Sequence, residues 1–109
     1  MTNTAVPNVQ TLLELDRVVH EPARLVILAV LSAADTVEFK FLESVTGLTR
    51  GNLSSHTTRL ESAGYIEVIK AFRGRVPVTS FRITRAGRDA LAEYCARLRA
   101  ALPDEEPGR

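Results

Sequence analysis

The chain contains a single cysteine, Cys95, so an intrachain disulfide and a four-cysteine zinc site are both excluded. Long apolar runs are also missing. The longest, Leu25 to Leu31, is far too short to span a bilayer, which takes about 20 residues. The first ten residues, MTNTAVPNVQ, have neither a basic start nor an uninterrupted apolar core, so they do not read as a secretory signal. Together these absences predict a cytoplasmic protein. Catalytic signatures are lacking as well: there is no Gly-rich phosphate loop, no GxSxG and no HExxH. The two histidines, His20 and His56, fall in different predicted elements, so neither gains a second metal ligand. The sequence therefore predicts no enzyme and no cofactor.

What is present is ordinary in bulk: 45% hydrophobic and 25% charged residues in a chain of 109. That length predicts one domain with a thin core, for which pairing with a second copy is a natural way to bury more surface. Net charge is only +1. Its distribution is uneven. Residues 1–48 carry three basic against six acidic groups, and residues 89–109 carry three against five. Residues 49–88 carry eight basic groups against Glu61 and Glu67, net +6. Clustered positive charge is what a phosphate-binding surface needs, although a solvated basic face gives the same count.

The periodicities predict a loose arm over 1–8, a winged-helix domain over 9–102 and a disordered tail over 103–109, where PDEEPGR holds two prolines and three acids. Val9, Leu12, Leu13, Asp16 and Val19 recur at helical spacing and predict a first helix over 9–20. Pro22 suits the first turn of a second helix over 22–34, whose apolar residues face every side and so predict burial all round. Thr36 to Glu38 can form a very short strand. Phe39, Leu42 and Val45 mark a short third helix ended by Gly47, and Thr49 is placed to cap a fourth that ends at Gly64. The runs YIEVIKAF (65–72) and VTSFRIT (78–84) read as a hairpin with a protruding link from Arg73 to Pro77. Thr84 then caps a last helix, along which Leu91, Tyr94, Cys95, Leu98 and Leu102 form an apolar stripe. The fold class is mainly α with a small β-hairpin: a helix-turn-helix whose hairpin is its wing.

The fourth helix carries the candidate chemistry. At about 100° per residue, Leu53, Thr57, Leu60 and Gly64 turn inward, while Gly51, Asn52, Ser54, Ser55, Thr58 and Arg59 point mostly outward. Short polar side chains let a helix axis approach base edges, and Asn and Arg can bond adenine and guanine in bidentate fashion. The N–H groups at Arg50 and Gly51 suit a phosphate. A merely solvent-facing polar helix is the competing reading, but Ser and Thr are poor helix formers where Glu, Lys or Ala would stabilise more. His56, at the edge of the inward stripe, is expected beside the hairpin or on a backbone or phosphate oxygen. Arg73 and Arg75 flank Gly74 at the hairpin tip and can reach a minor groove or flanking phosphates; the bland alternative is a solubilising loop. Cys95 reads as a structural residue, since Leu91 and Ala92 supply no cation one turn toward the N-terminus to activate a thiolate.

The segments LDRVVHEPARLVILAVL (15–31), FKFLESVTGLTRGNLSSHTTRLESAGYIEV (39–68) and FRGRVPVTSFRITRAGRDALAEY (72–94) closely resemble the small MarR/ArsR-like winged-helix transcriptional regulators. The resemblance covers roughly residues 14–100. It implies a homodimeric regulator of transcription, a repressor, that binds double-stranded DNA in a sequence-specific manner. Carried over by position, the DNA-facing residues are Thr49, Arg50, Gly51, Asn52, Ser54, Ser55 and Thr58, with wing residues near Arg73 and Arg75. The first and last helices would form the two-fold interface, which assigns Leu12, Leu13, Leu91, Tyr94, Cys95, Leu98 and Leu102 to it. Two features depart from the pattern: Val76 and Val78 in the wing stand where relatives often have basic residues, and Thr57 stands where leucine is common. The apolar wing keeps a second reading open, a winged-helix module for protein–protein contact. A small-molecule effector has no support in the sequence.

Overall fold

The structure is a computed structural model that describes residues 6–103. Residues 1–5 of the expected arm and 104–109 of the expected tail lie outside the described residues. In chain order the elements are α1 (Val9–Leu13), α2 (Pro22–Ser32), β1 (Val37–Glu38), α3 (Phe39–Thr46), α4 (Arg50–Ser62), β2 (Ile66–Arg73), β3 (Val76–Ile83) and α5 (Arg85–Ala101). The strands form one antiparallel sheet in the order β1-β3-β2. The mainly helical winged helix-turn-helix read from the sequence is the observed architecture.

The helix ends follow local chemistry. Asn8, Thr49 and Thr84 accept from the backbone N–H groups of Thr11, Asn52 and Gly87 respectively, capping α1, α4 and α5. Pro22 opens α2 as expected. Gly47 and Gly64 follow α3 and α4 in the left-handed conformation. Asn8 N–H also donates to the Ala101 carbonyl at 2.8 Å, which ties the start of α1 to the end of α5.

A single core joins these elements. Ile27, Leu28 and Leu31 of α2, Leu42 of α3 and Leu53 and Leu60 of α4 meet Ile66, Phe81 and Ile83 of the sheet and Tyr94 of α5. Removing one of these leucines to alanine costs about 2–5 kcal/mol in such a core.

Three expectations need correction. The first helix stops at Leu13 rather than reaching residue 20. The Asp16 carboxylate accepts from the N–H groups of Val18 and Val19, and His20 N–H donates to the Asp16 carbonyl, so residues 16–20 close a turn of their own. Leu15 and Val19 are nevertheless buried, which is what their helical spacing had registered. Next, α2 ends at Ser32 and is not covered on all sides: Val26 is 44% exposed, and α1, the helix before it, packs on α5. Finally, the hairpin link is tight. Arg73 pairs with Val76, so only Gly74 and Arg75 make the turn, with Gly74 at φ 65°. Pro77 sits in β3 opposite Phe72, one step past the closing pair, where ladder alternation turns the missing N–H away from β2. β1 reaches only Ser80 and Phe81, so no partner loses a bond there.

The α4–β2 corner is locked onto the turn before α2. The Tyr65 hydroxyl donates to the Asp16 carboxylate. Burial pushes the Asp16 carboxyl up, but the bonds from Tyr65 and from the Val19 and Val18 N–H groups outweigh it and hold it below its ordinary value. The same bond, reinforced by burial, pushes the Tyr65 phenol up to about 12. A depressed carboxyl stabilises the fold above its unfolded pKa, and that contribution is lost as pH falls through the lowered native value. An ultraviolet phenolate titration of Asp16→Asn is expected to show Tyr65 ionising closer to pH 10; an unmoved midpoint would contradict the pairing.

Candidate nucleic-acid interface

Helices α3 and α4 meet at a turn fixed by Thr46. Its hydroxyl donates to the Leu42 carbonyl at 2.6 Å and accepts from Leu48 N–H at 3.2 Å. From there α4 runs with Leu53, Thr57 and Leu60 buried, as its periodicity requires. Thr57, where leucine is common, keeps its place by donating to the carbonyls of Leu53 and Ser54 at 3.0 and 3.1 Å. The buried hydroxyl is satisfied, so this substitution leaves no orphaned polar group in the core.

The opposite face is open. Arg50, Gly51, Asn52, Ser54, Ser55, Thr58 and Arg59 are all exposed, with Thr49 at the cap. Arg50 is steered by its neighbours: its guanidinium lies 5.2 Å from the centre of the Phe39 ring and 3.9 Å from the Glu43 carboxylate. With its side chain 77% exposed, that ion pair contributes little to stability but narrows where the cation can point. The positive end of the α4 dipole adds to the same spot.

His56 does not pack beside the hairpin. Its Nδ1 lies 3.2 Å from Arg24 Nη1, and the same guanidinium donates from Nε to the Val18 carbonyl at 2.7 Å and from Nη2 to the Arg17 carbonyl at 3.3 Å. A guanidinium can only donate, so Nδ1 accepts and the ring proton sits on Nε2. Glu21 stands 3.8 Å from the same nitrogen. Arg24 thus links α4 to the turn before α2 and holds the helix axis in place. The sequence held no local signal for this contact, because Arg24 and His56 are 32 positions apart.

On the wing, Arg73 and Arg75 flank the turn but have different surroundings. Arg73 bonds Glu38 of β1 at 2.5 Å, which raises its already high pKa and holds it against the sheet. Arg75 has no carboxylate partner among the described residues. Arg82 pairs with Glu67 across β2 and β3 at 3.0 Å. Between α4 and the wing runs an open cleft of about 580 Å³. Ser54 and Thr58 rim it from the helix, Lys70 and Arg73 from the hairpin and Arg50 from its end, with the carboxylates of Glu38, bonded to Arg73, and Glu61 also on its wall. The structure therefore brings the fourth helix and Arg73 to one surface, and it adds Lys70, which sequence reading left unassigned.

The residues expected at a two-fold interface divide. Tyr94 is buried in the core of its own chain, where its hydroxyl lies 2.7 Å from His20 Nδ1. Leu12, Leu91, Cys95 and Leu98 are half-buried against that core. Leu13 is 64% and Leu102 48% exposed, and Val9 joins them on the open side of α1. Among the described residues no helix is long and apolar enough to cross a membrane, and no cluster of His, Cys, Asp and Glu could hold a metal.

Comparison with known proteins places this geometry. The profile of the winged helix DNA-binding domain matches residues 23–102. An uncharacterized protein of Methanocaldococcus jannaschii is 37% identical over 79 residues, which cover 72% of this chain and 85% of that protein. A transcriptional regulator homologue from Pyrococcus horikoshii superposes with a TM-score of 0.78 at 30% identity, over 84% of this chain and 92% of that one. A MarR-family transcriptional regulator from Silicibacter pomeroyi shares the fold at 21% identity, with a TM-score of 0.62 over 86% of this chain and 62% of that one.

Proposed function

This chain belongs to the winged helix DNA-binding domain family, whose structural neighbours are transcriptional regulators and not enzymes, and we propose that it is a cytoplasmic, homodimeric repressor reading a pseudo-palindromic duplex site. The observation that carries the reading is the open face of α4. Gly51, Asn52, Ser55 and Thr58 are exposed on a helix whose other side is anchored in the core by Leu53, Thr57 and Leu60. A rigidly seated helix with short polar side chains can lie in a major groove of about 12 Å width.

In this reading Asn52 and Arg50 contact base edges, while Thr49, Gly51, Ser54, Ser55, Thr58 and Arg59 fix the depth and register of the helix against bases and phosphates. Arg75 reaches the flanking backbone or minor groove. The cleft rimmed by Arg50, Lys70 and Arg73 takes the intervening phosphates. Exposed Val9, Leu13 and Leu102, continuous with half-buried Leu12, Leu91, Cys95 and Leu98, supply the apolar surface on which two copies pair. The two α4 helices would then stand about one helical turn of DNA apart.

Selection of bound duplexes from a random pool tests the proposal. The expected result is two inverted half-sites at a fixed spacing; a retained pool without enrichment contradicts sequence-specific reading. Exposed Val76 favours the second reading, a module for protein–protein contact, and failure to retain any duplex at low salt is the result that would support it.

The Glu38–Arg73 pair gives a separate expectation. Glu38→Gln frees the Arg73 cation for phosphate, so affinity for any duplex rises a few-fold and the salt dependence steepens by up to about one counterion per subunit. Affinity measured over a salt series checks both. An unchanged slope places Arg73 away from the DNA.

A further inference from the structure

The wing carries an exposed aromatic ring that neither the core nor the basic residues explain. Phe72 is 74% exposed, more than any other large hydrophobic side chain among the described residues. It lies next to the turn and directly opposite Pro77. Partners in an antiparallel register share a face. Phe72 and Pro77 therefore form an apolar pair at the end of the face that begins with buried Ile66 and Ile83 and continues through Lys70 and Thr79.

Two observations say what meets this pair. The hairpin from Ile66 to Ile83 holds Lys70, Arg73, Arg75 and Arg82 against Glu67 alone, and although Glu38 and Glu67 offset Arg73 and Arg82, Lys70 and Arg75 keep the surroundings of the pair positive, as a polyanion requires. Pro77, Lys70 and Thr79 also line the cleft whose other wall is Ser54 and Thr58 of α4, so Phe72 stands beside Pro77 at the edge of the proposed base-reading surface.

We propose that Phe72, backed by Pro77, is an apolar wedge that enters the minor groove of duplex DNA beside the site read by α4 and partly unstacks one base step. The inference rests on the DNA-binding reading above and adds a second contact with its own chemistry. An aromatic wedge separates stacked base pairs at the cost of their stacking, which is smallest at pyrimidine–purine steps such as TA and CA. The wedge therefore selects flexible steps in the flanks without hydrogen-bonding any base, and it bends the duplex. Arg75 at the turn neutralises the backbone beside it.

Phe72→Ala and Phe72→Leu test the wedge against a duplex carrying the selected half-sites, with 2-aminopurine at the flanking step and dyes at both ends. Because Phe72 is exposed, both variants are expected to melt like the parent chain. The parent is expected to raise 2-aminopurine fluorescence and shorten the end-to-end distance. Phe72→Ala should bind about 10-fold more weakly with an unchanged salt slope, and should lose both optical signals. Phe72→Leu, still an apolar wedge, should keep part of each. A Phe72→Ala variant that binds and bends DNA like the parent overturns the wedge and leaves the DNA-binding function standing. Weaker binding with the bend and the fluorescence retained also overturns it, since Phe72 would then touch the groove wall without entering the stack. If the parent itself binds no duplex, the function falls and the wedge with it.

Discussion

Gly87→Ala is expected to destabilise the fold by about 2–3 kcal/mol, lowering the melting temperature by roughly 10 °C or more. Gly87 is buried in the first turn of α5, directly against Tyr65, which joins α4 to β2. A Cβ built there would stand 2.1 Å from the Tyr65 carbonyl oxygen and 2.9 Å from Cγ1 of Ile83. The first of these is backbone and cannot rotate away. That carbonyl also accepts the Thr84 N–H at 3.0 Å, so displacing it loosens the cap of α5 as well as the α4–β2 corner. Helix propensity alone would favour alanine by about 1 kcal/mol, so the sign of the result separates the two effects. Gly51→Ala is the control: nothing lies within 4 Å of its added Cβ, and its stability should be equal or higher. Thermal melts of both variants check the pair, and a Gly87→Ala chain that melts with the parent contradicts the close approach.

Ser55→Glu should abolish duplex binding, by about 100-fold or more, and leave the fold intact. Ser55 is exposed at the centre of the outward face of α4, beside Asn52 and Arg59. Glutamate is the better helix former there. In a DNA groove the same carboxylate meets phosphates and base acceptors, where like charges in register cost several kcal/mol; about 3 kcal/mol is already 100-fold. Ser55→Ala should lose far less. Fluorescence anisotropy with a labelled duplex, beside a circular dichroism melt, distinguishes lost binding from lost structure. Retained binding by Ser55→Glu removes α4 from the groove.

Much of this architecture was legible because its signals are local. Thr49 and Thr84 cap the helices they were expected to cap, Gly47 and Gly64 end α3 and α4, and the spacing of Leu53, Thr57 and Leu60 fixed which side of α4 faces inward. With the inward side known, the exposed residues followed. The misread elements depend on partners far away in the chain or on a single dihedral. The first helix was overextended because Asp16 leaves the helical pattern to bond its own turn and Tyr65, 49 residues on. The hairpin link looks long in the sequence because Pro77 suggests a loop. In β3 it occupies a position where its missing N–H faces no strand. Periodicity cannot say what covers a helix, so apolar α2 was expected to be buried all round, yet Val26 stays open. The Arg73–Glu38 and Arg24–His56 contacts join residues 35 and 32 positions apart, beyond any local pattern.

In the proposed function the polar face of α4 lies free in one copy and becomes covered when duplex DNA arrives. Backbone amide spectra of isotope-labelled protein, recorded through a titration with the selected duplex and through a dilution series without it, test this most directly. Asn52, Ser55, Thr58 and Arg75 are expected to respond to DNA and not to dilution, while Val9 and Leu13 respond to dilution as copies separate. Shifts of Asn52, Ser55 and Thr58 on dilution, with none on adding DNA, would put that face inside a subunit contact and contradict it.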